Sequence, residues 1–170
     1  MNYEMLSRRY ALQIDESKGL IFDFFIVYSR YEYVLKEMNF YRVNNGRWVS
    51  PDWKKYASRI ENKLNLGDHN LKDAINYYLH QPPKIQIEKD GLLIWGKNKQ
   101  HKNEKDIEWV FRSIGITRNN LFHGGKFPFD QIRDTKLLLF GLVILYACLE
   151  ADKEFNEKFL FGGLYRFKEE

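Results

Sequence analysis

Arg118 and His123 stand five positions apart in the stretch Ile116-Thr117-Arg118-Asn119-Asn120-Leu121-Phe122-His123-Gly124-Gly125-Lys126. Arginine is a permanent cation whose planar fork suits phosphate oxygens. Histidine gains and loses a proton near neutral pH. Side by side, one can hold a phosphate while the other moves a proton, so the pair points to chemistry on a phosphodiester. By spacing alone such a pair is commonplace in a chain with 10 Arg and 4 His, and the weight falls on the residues around it. The plainer reading makes both side chains surface groups at a helix end.

The element that must position them is a helix. Ile107, Val110, Phe111, Ile114, Leu121 and Phe122 recur at the spacing of a packed face, which predicts a helix from Asp106 to Phe122. Gly124 and Gly125 supply the permissive backbone that commonly ends one. His123 then sits at a helix C-terminus, where the carbonyl ends favour a cationic imidazole and make it a candidate proton donor. Arg118 lies about one and a half turns earlier.

Arg118 followed by the polar Asn119, an apolar pair and His123-Gly124-Gly125-Lys126 resembles the R-x4-6-H signature of the HEPN superfamily (higher eukaryotes and prokaryotes nucleotide-binding). The segment Tyr28 to Lys36 looks like that family's first helix. The resemblance covers the first long helix, the motif helix and the last helix. It implies an all-α, HEPN-like helical bundle. It also implies a metal-independent ribonuclease without a cofactor, and a two-fold homodimer in which two motifs share one cleft. The family setting is defence, as a toxin or abortive-infection effector with an antitoxin or other regulatory partner. In some HEPN toxins a Tyr two residues after the motif His is modified by a partner nucleotidyltransferase. That position is Gly125 here, which argues against silencing by that route.

If Arg118 and His123 face one phosphodiester, the economical reaction is attack by an RNA 2′-hydroxyl on its own phosphorus. The products are a 2′,3′-cyclic phosphate and a 5′-hydroxyl, and DNA is inert. His123 acts as general base or acid, and Arg118 neutralises charge on the phosphorane oxygens. Asn119 or Asn120 donates to the phosphate or orients a neighbour, with a structural role favoured for Asn120. Lys126 is a candidate phosphate contact, and Glu32 a candidate neighbour of Arg118, although a solvated helix-face charge is the bland reading of Glu32. Lys97, Lys99, His101, Lys102 and Lys105 form a candidate electrostatic patch or a merely solvated loop. Trp95 is a candidate base-stacking residue, with core packing the stronger expectation.

Composition narrows the class. With 170 residues, 44% hydrophobic and 29% charged, the chain reads as one globular domain, 1–170, with a real core. A net charge of +4 permits a polyanionic partner such as RNA without requiring one. The single cysteine, Cys148, sits in an apolar run, so no disulfide and a reducing, cytoplasmic setting are expected. That run is too short to span a bilayer, and the first residues lack signal-peptide order. His69, His80 and His101 lack metal-ligand spacing, so no metal site is expected. Phosphate-loop motifs are missing too.

The remaining elements follow from periodicity. A long amphipathic helix is predicted over 19–39 from Ile21, Phe24, Phe25, Tyr28, Tyr31, Leu35 and Met38. Asn44-Asn45-Gly46 marks a short hairpin, and Ser50-Pro51 a helix start with Ser50 as cap and Pro51 at the first helical position. Two helices follow, the second stopped by Pro82-Pro83. A β-hairpin around Asp90-Gly91 is expected to lean on the helices. Residues 96–105 read as a mobile polar loop. Positions from about 40 to 103 thus form a decorated connection that a minimal bundle would not need. Asp130 or Asp134 is a candidate cap for a last helix, apolar nearly all round over Leu137 to Leu149. An apolar strip over 159–165 either folds back or lies in a subunit interface.

Two rivals stand beside the nuclease reading. One is a non-catalytic HEPN module that binds nucleotide or RNA, or assembles with a partner. The other is an unrelated helical scaffold that dimerises through the C-terminal strip.

Overall fold

A computed structural model describes residues 18–122 and 131–162. The described residues are mostly helical: α1 (Lys18–Glu37), α2 (Trp53–Ile60), α3 (His69–His80), α4 (Asp106–Phe122), α5 (Gln131–Ala151) and α6 (Lys153–Phe161). Two antiparallel hairpins interrupt them, β1 (Tyr41–Asn44) with β2 (Trp48–Pro51), and β3 (Ile85–Lys89) with β4 (Leu92–Gly96). Registers run from Tyr41↔Pro51 to Asn44↔Trp48 and from Ile85↔Gly96 to Lys89↔Leu92. Asn45, Gly46, Asp90 and Gly91 all take positive φ, as the tight turns at the hairpin tips demand. The motif helix has the bounds read from its periodicity.

The core centres on a cluster of rings from four helices. Tyr31 of α1 lies 4.9 Å from Phe155 of α6 and 6.0 Å from Trp53 of α2, centroid to centroid. Tyr56 of α2 lies 5.6 Å from Phe111 of α4. The Tyr31 hydroxyl donates to the Leu145 carbonyl of α5 at 2.6 Å, so the ring's polar end is satisfied inside the core. Helices α2 and α3 bury Tyr56, Ala57, Ile60, Leu71, Ala74, Ile75 and Tyr78 in the same cluster. These two helices of the 40–103 connection are therefore part of the core.

Five local features differ from the sequence reading. Ser50 and Pro51 end β2, and Asp52 caps α2 by accepting from the Lys55 N–H at 3.1 Å. Hairpin pairing holds Pro51 in an extended strand, one residue short of the cap. The β3–β4 hairpin does not lean on the bundle, for Leu92 and Leu93 are 67% and 74% exposed. The 97–105 loop is pinned: Arg112 reaches Glu104 at 2.8 Å, the Asn98 side chain at 3.3 Å and the Lys99 carbonyl at 3.0 Å. The apolar run of α5 packs on α1, α3, α4 and α6, but Leu139 and Tyr146 face outward. Asp134 lies in the first turn of α5 and not before it, while Asp130 is outside the described residues.

The charged tail after Leu149 is a separate helix. Asp152 breaks from α5 and caps α6, accepting from the Phe155 N–H. Its buried carboxylate takes Arg59 through Nε at 2.5 Å and Nη2 at 2.9 Å, tying α2 to the α5–α6 corner. At the far end of α6, Arg30 donates to the carbonyls of Phe159, at 2.9 Å, and Gly162. Phe159 folds onto Tyr31 at 5.5 Å, whereas Leu160 and Phe161 are exposed. Among the described residues, no helix is long and apolar enough to cross a membrane.

Candidate functional site

Helix α4 carries the Arg118 half of the motif. Asp106 and Glu108 in its first turn complement the helix dipole. Trp109, Phe111, Ile114 and Thr117 are buried and hold the helix on its neighbours. His123 and Lys126 lie outside the described residues.

Arg118 is half-buried, and its guanidinium carbon lies 5.9 Å from the centroid of the Tyr28 ring on α1. Its Nη1 donates to Asn119 Oδ1 at 3.1 Å. Asn119 itself is exposed. Tyr28 is the platform beneath. Its ring stacks on Trp53 at 5.3 Å and on Phe24 at 6.0 Å. A Cβ on Gly115, one turn before Arg118, would stand 3.2 Å from the Tyr28 hydroxyl. Glycine there lets the phenol reach the α4 backbone.

Two charges act on that phenol. Burial raises the Tyr28 pKa most, the negative field of Glu32 adds to this, and the positive field of Arg118 opposes it. Glu32 is half-buried one turn along α1 from Tyr28. Glu32 and Arg118 thus share Tyr28 as a neighbour, although no ion pair joins them. Sequence reasoning named Tyr28 only as a core position. Nothing in its local pattern signals the company it keeps.

Asn120 faces elsewhere. It is about 200° around the helix from Arg118, and its Nδ2 donates to the Lys84 carbonyl at 2.7 Å. That is the structural role favoured for it. Thr117 Oγ1 donates to the Ser113 carbonyl at 3.1 Å and lies 3.4 Å from the Tyr78 hydroxyl, which donates to the Leu137 carbonyl at 2.7 Å. Helices α3, α4 and α5 are therefore locked together beneath the motif. A cavity of about 10 Å³ separates Thr117, Asn120 and Leu121 from Asp134, a carboxylate only 5% exposed. Its burial beside the motif helix had no sequence signal beyond its place in a first turn.

The loop cations divide. Lys105 pairs with Glu61 at 2.6 Å, whereas Lys97 and Lys99 line a groove of about 480 Å³ with Lys84 and Arg133. Trp95 is 37% exposed at the base of the projecting hairpin, so its ring is not core.

Compared with known proteins, the chain matches no family model, no curated protein and no solved structure.

Proposed function

We propose that the chain is an HEPN-type, metal-independent endoribonuclease built on an HEPN-like bundle. The observation that carries the reading is the setting of Arg118: near the end of a long core helix, over the Tyr28 ring, with its guanidinium hydrogen-bonded to Asn119. A planar cation held this way is suited to phosphate oxygens.

In this reading His123 takes the proton of the RNA 2′-hydroxyl. The O2′–P bond forms and the P–O5′ bond breaks. The departing 5′-oxygen takes a proton from a second acid, leaving a 2′,3′-cyclic phosphate and a 5′-hydroxyl. Arg118 neutralises the phosphorane, Asn119 orients Arg118, and Lys126 holds an adjacent phosphate. Glu32, whose negative field reaches the same Tyr28 phenol, is the candidate acidic neighbour of Arg118.

One imidazole serves poorly as base and acid together, so the second acid is His123 of a second copy in a two-fold dimer. Phe25 lies two turns before Glu32 on the same face of α1, beside the exposed Phe22 and Ile26, and this apolar strip would seat the second copy. The defence role and its regulatory partner come from the family resemblance.

The test is wild type, Arg118→Ala and His123→Ala on labelled RNA with EDTA present. A substrate with one 2′-deoxy linkage is the control. Wild type alone should cut and the 2′-deoxy linkage should resist, with each variant slowed about 10²–10⁴-fold. Cleavage only with metal restored would overturn the roles. Folded protein that binds RNA without cutting would hand the site to the non-catalytic module.

A further inference from the structure

Beside the motif helix, but on the Asn120 side of it, lies the groove of about 480 Å³. Four elements build it: the end of α3 with the linker to Lys84, the loop after β4, Trp109 of α4, and Arg133 at the start of α5. Lys84, Lys97, Lys99 and Arg133 line it together with His80, and among the described residues no Asp or Glu does. Lys84, Lys97 and Lys99 are exposed, and none makes an ion pair with a described residue.

The loop is built to hold these cations in place. Lys97 and Lys99 are exposed while Asn98 between them is buried, so the two lysines flank an inward-facing residue. Arg112 fixes the other side. It stacks 4.4 Å from the Trp109 centroid and bonds the Lys99 carbonyl and the Asn98 side chain. Because guanidinium only donates, that contact sets Asn98 Oδ1 toward Arg112. Asn98 Nδ2 is then a buried donor with no hydrogen-bond partner, in a residue that is 9% exposed and lines the groove. Buried polar groups left so are rare, and a turn of the Asn98 amide toward the groove would bring this donor to an anionic oxygen.

We infer that this groove binds the phosphodiester backbone of a single-stranded nucleic acid. Lys84, Lys97 and Lys99 contact successive phosphates, and Asn98 hydrogen-bonds a phosphate oxygen. Three lysines on two separate segments suit a row of phosphates better than a single phosphate group. The volume is that of a site for one or two nucleotides. The Asn120–Lys84 bond joins the groove wall to the motif helix two residues beyond Arg118. The inference deepens the nuclease reading by naming a site for RNA away from the scissile bond, on the other side of α4 from Arg118, and it concerns binding and needs no turnover.

The test uses the full chain and a fluorescently labelled 2′-O-methyl RNA strand, which cannot be cut. Lys84→Ala/Lys97→Ala/Lys99→Ala should weaken binding at least about tenfold. It should also lower the slope of log K against log salt by about 2, since each single-strand phosphate contact contributes about 0.7. Replacing the three lysines by arginine should restore both. Asn98→Leu should weaken binding at an unchanged slope.

Wild-type affinity and slope in the triple alanine variant would overturn the inference, as would no binding by wild type. Competition by adenosine monophosphate as effective per phosphate as the strand would overturn the strand assignment. The two readings fail separately. If wild type binds the strand through the lysines but cuts no RNA, the catalytic reading falls and the groove stands. If the triple variant binds and cuts like wild type, the groove falls and the catalytic reading stands.

Discussion

The Tyr28 hydroxyl packs against Gly115, where a Cβ would stand 3.2 Å away, and this contact sets the height of the phenol under Arg118. In an open helix position Gly→Ala gains about 1 kcal/mol. Here the phenol must yield first. Gly115→Ala should be neutral or destabilising in wild type and stabilising by about 1 kcal/mol in a Tyr28→Phe background. Urea unfolding of the four-protein cycle should give a coupling of at least about 0.5 kcal/mol. An additive cycle would mean that the hydroxyl is not what fills the space.

Asn119 and Asn120 are adjacent and chemically identical, so they make a controlled pair. Asn120→Ala removes the bond to the Lys84 carbonyl and should cost about 1 kcal/mol of stability. Asn119→Ala, at an exposed position, should change stability by less than about 0.5 kcal/mol while slowing RNA cleavage through a less ordered Arg118. Thermal melts and rates on the two variants separate the effects. Equal stability losses would contradict the geometry.

Asp152 sets the acid limit. Burial alone would raise its pKa, but the Arg59 hydrogen bonds and charge, the Phe155 N–H and Lys63 together hold it below the usual carboxylate value. A depressed folded-state pKa stabilises the native chain fully above the unfolded value of about 3.9. That contribution is lost as pH falls through the lower folded value. Urea midpoints of wild type should therefore drop below about pH 4, and those of Asp152→Asn less steeply. At neutral pH, Asp152→Ala should cost roughly 2–4 kcal/mol, from the lost cap and the lost charged hydrogen bonds. Glu104, held low chiefly by Arg112, adds to the acid sensitivity in the same direction.

The outer hairpin should be thermodynamically separable from the core. Leu93 is 74% exposed and Ile60 fully buried. Leu93→Lys should shift stability by less than about 0.5 kcal/mol, and Ile60→Ala should cost about 2–5 kcal/mol. A large loss from Leu93→Lys, measured on monomer at low concentration, would mean that the hairpin packs on something.

Much of the local structure is legible in residue order. Turn chemistry at Asn45-Gly46 and Asp90-Gly91 places both hairpins, because few residues tolerate positive φ there. Periodicity bounds α4 and marks Tyr28, Tyr31 and Leu35 as core. It also marks Phe25, which is 37% exposed, since a stripe does not say how wide the covering neighbour is. Helix α6 was hidden because its start is a single cap, Asp152, inside a charged run.

What the sequence by itself determined is every described element except α6, the two tight turns and the placement of Arg118 near the end of a long helix. Those follow from backbone sterics and from apolar spacing along one chain. Only the tertiary structure decided which way Arg118, Asn119 and Asn120 look. Arg118 meets Tyr28 and the field of Glu32 because α1 crosses that face of α4, while Asn120 turns to Lys84 on the other. The same holds for the basic groove, whose cations Lys84, Lys97, Lys99 and Arg133 lie on three segments and gather only when α3, the loop and α5 pack around Trp109. Contacts between distant segments are set by how helix faces fit one another, which no local pattern encodes.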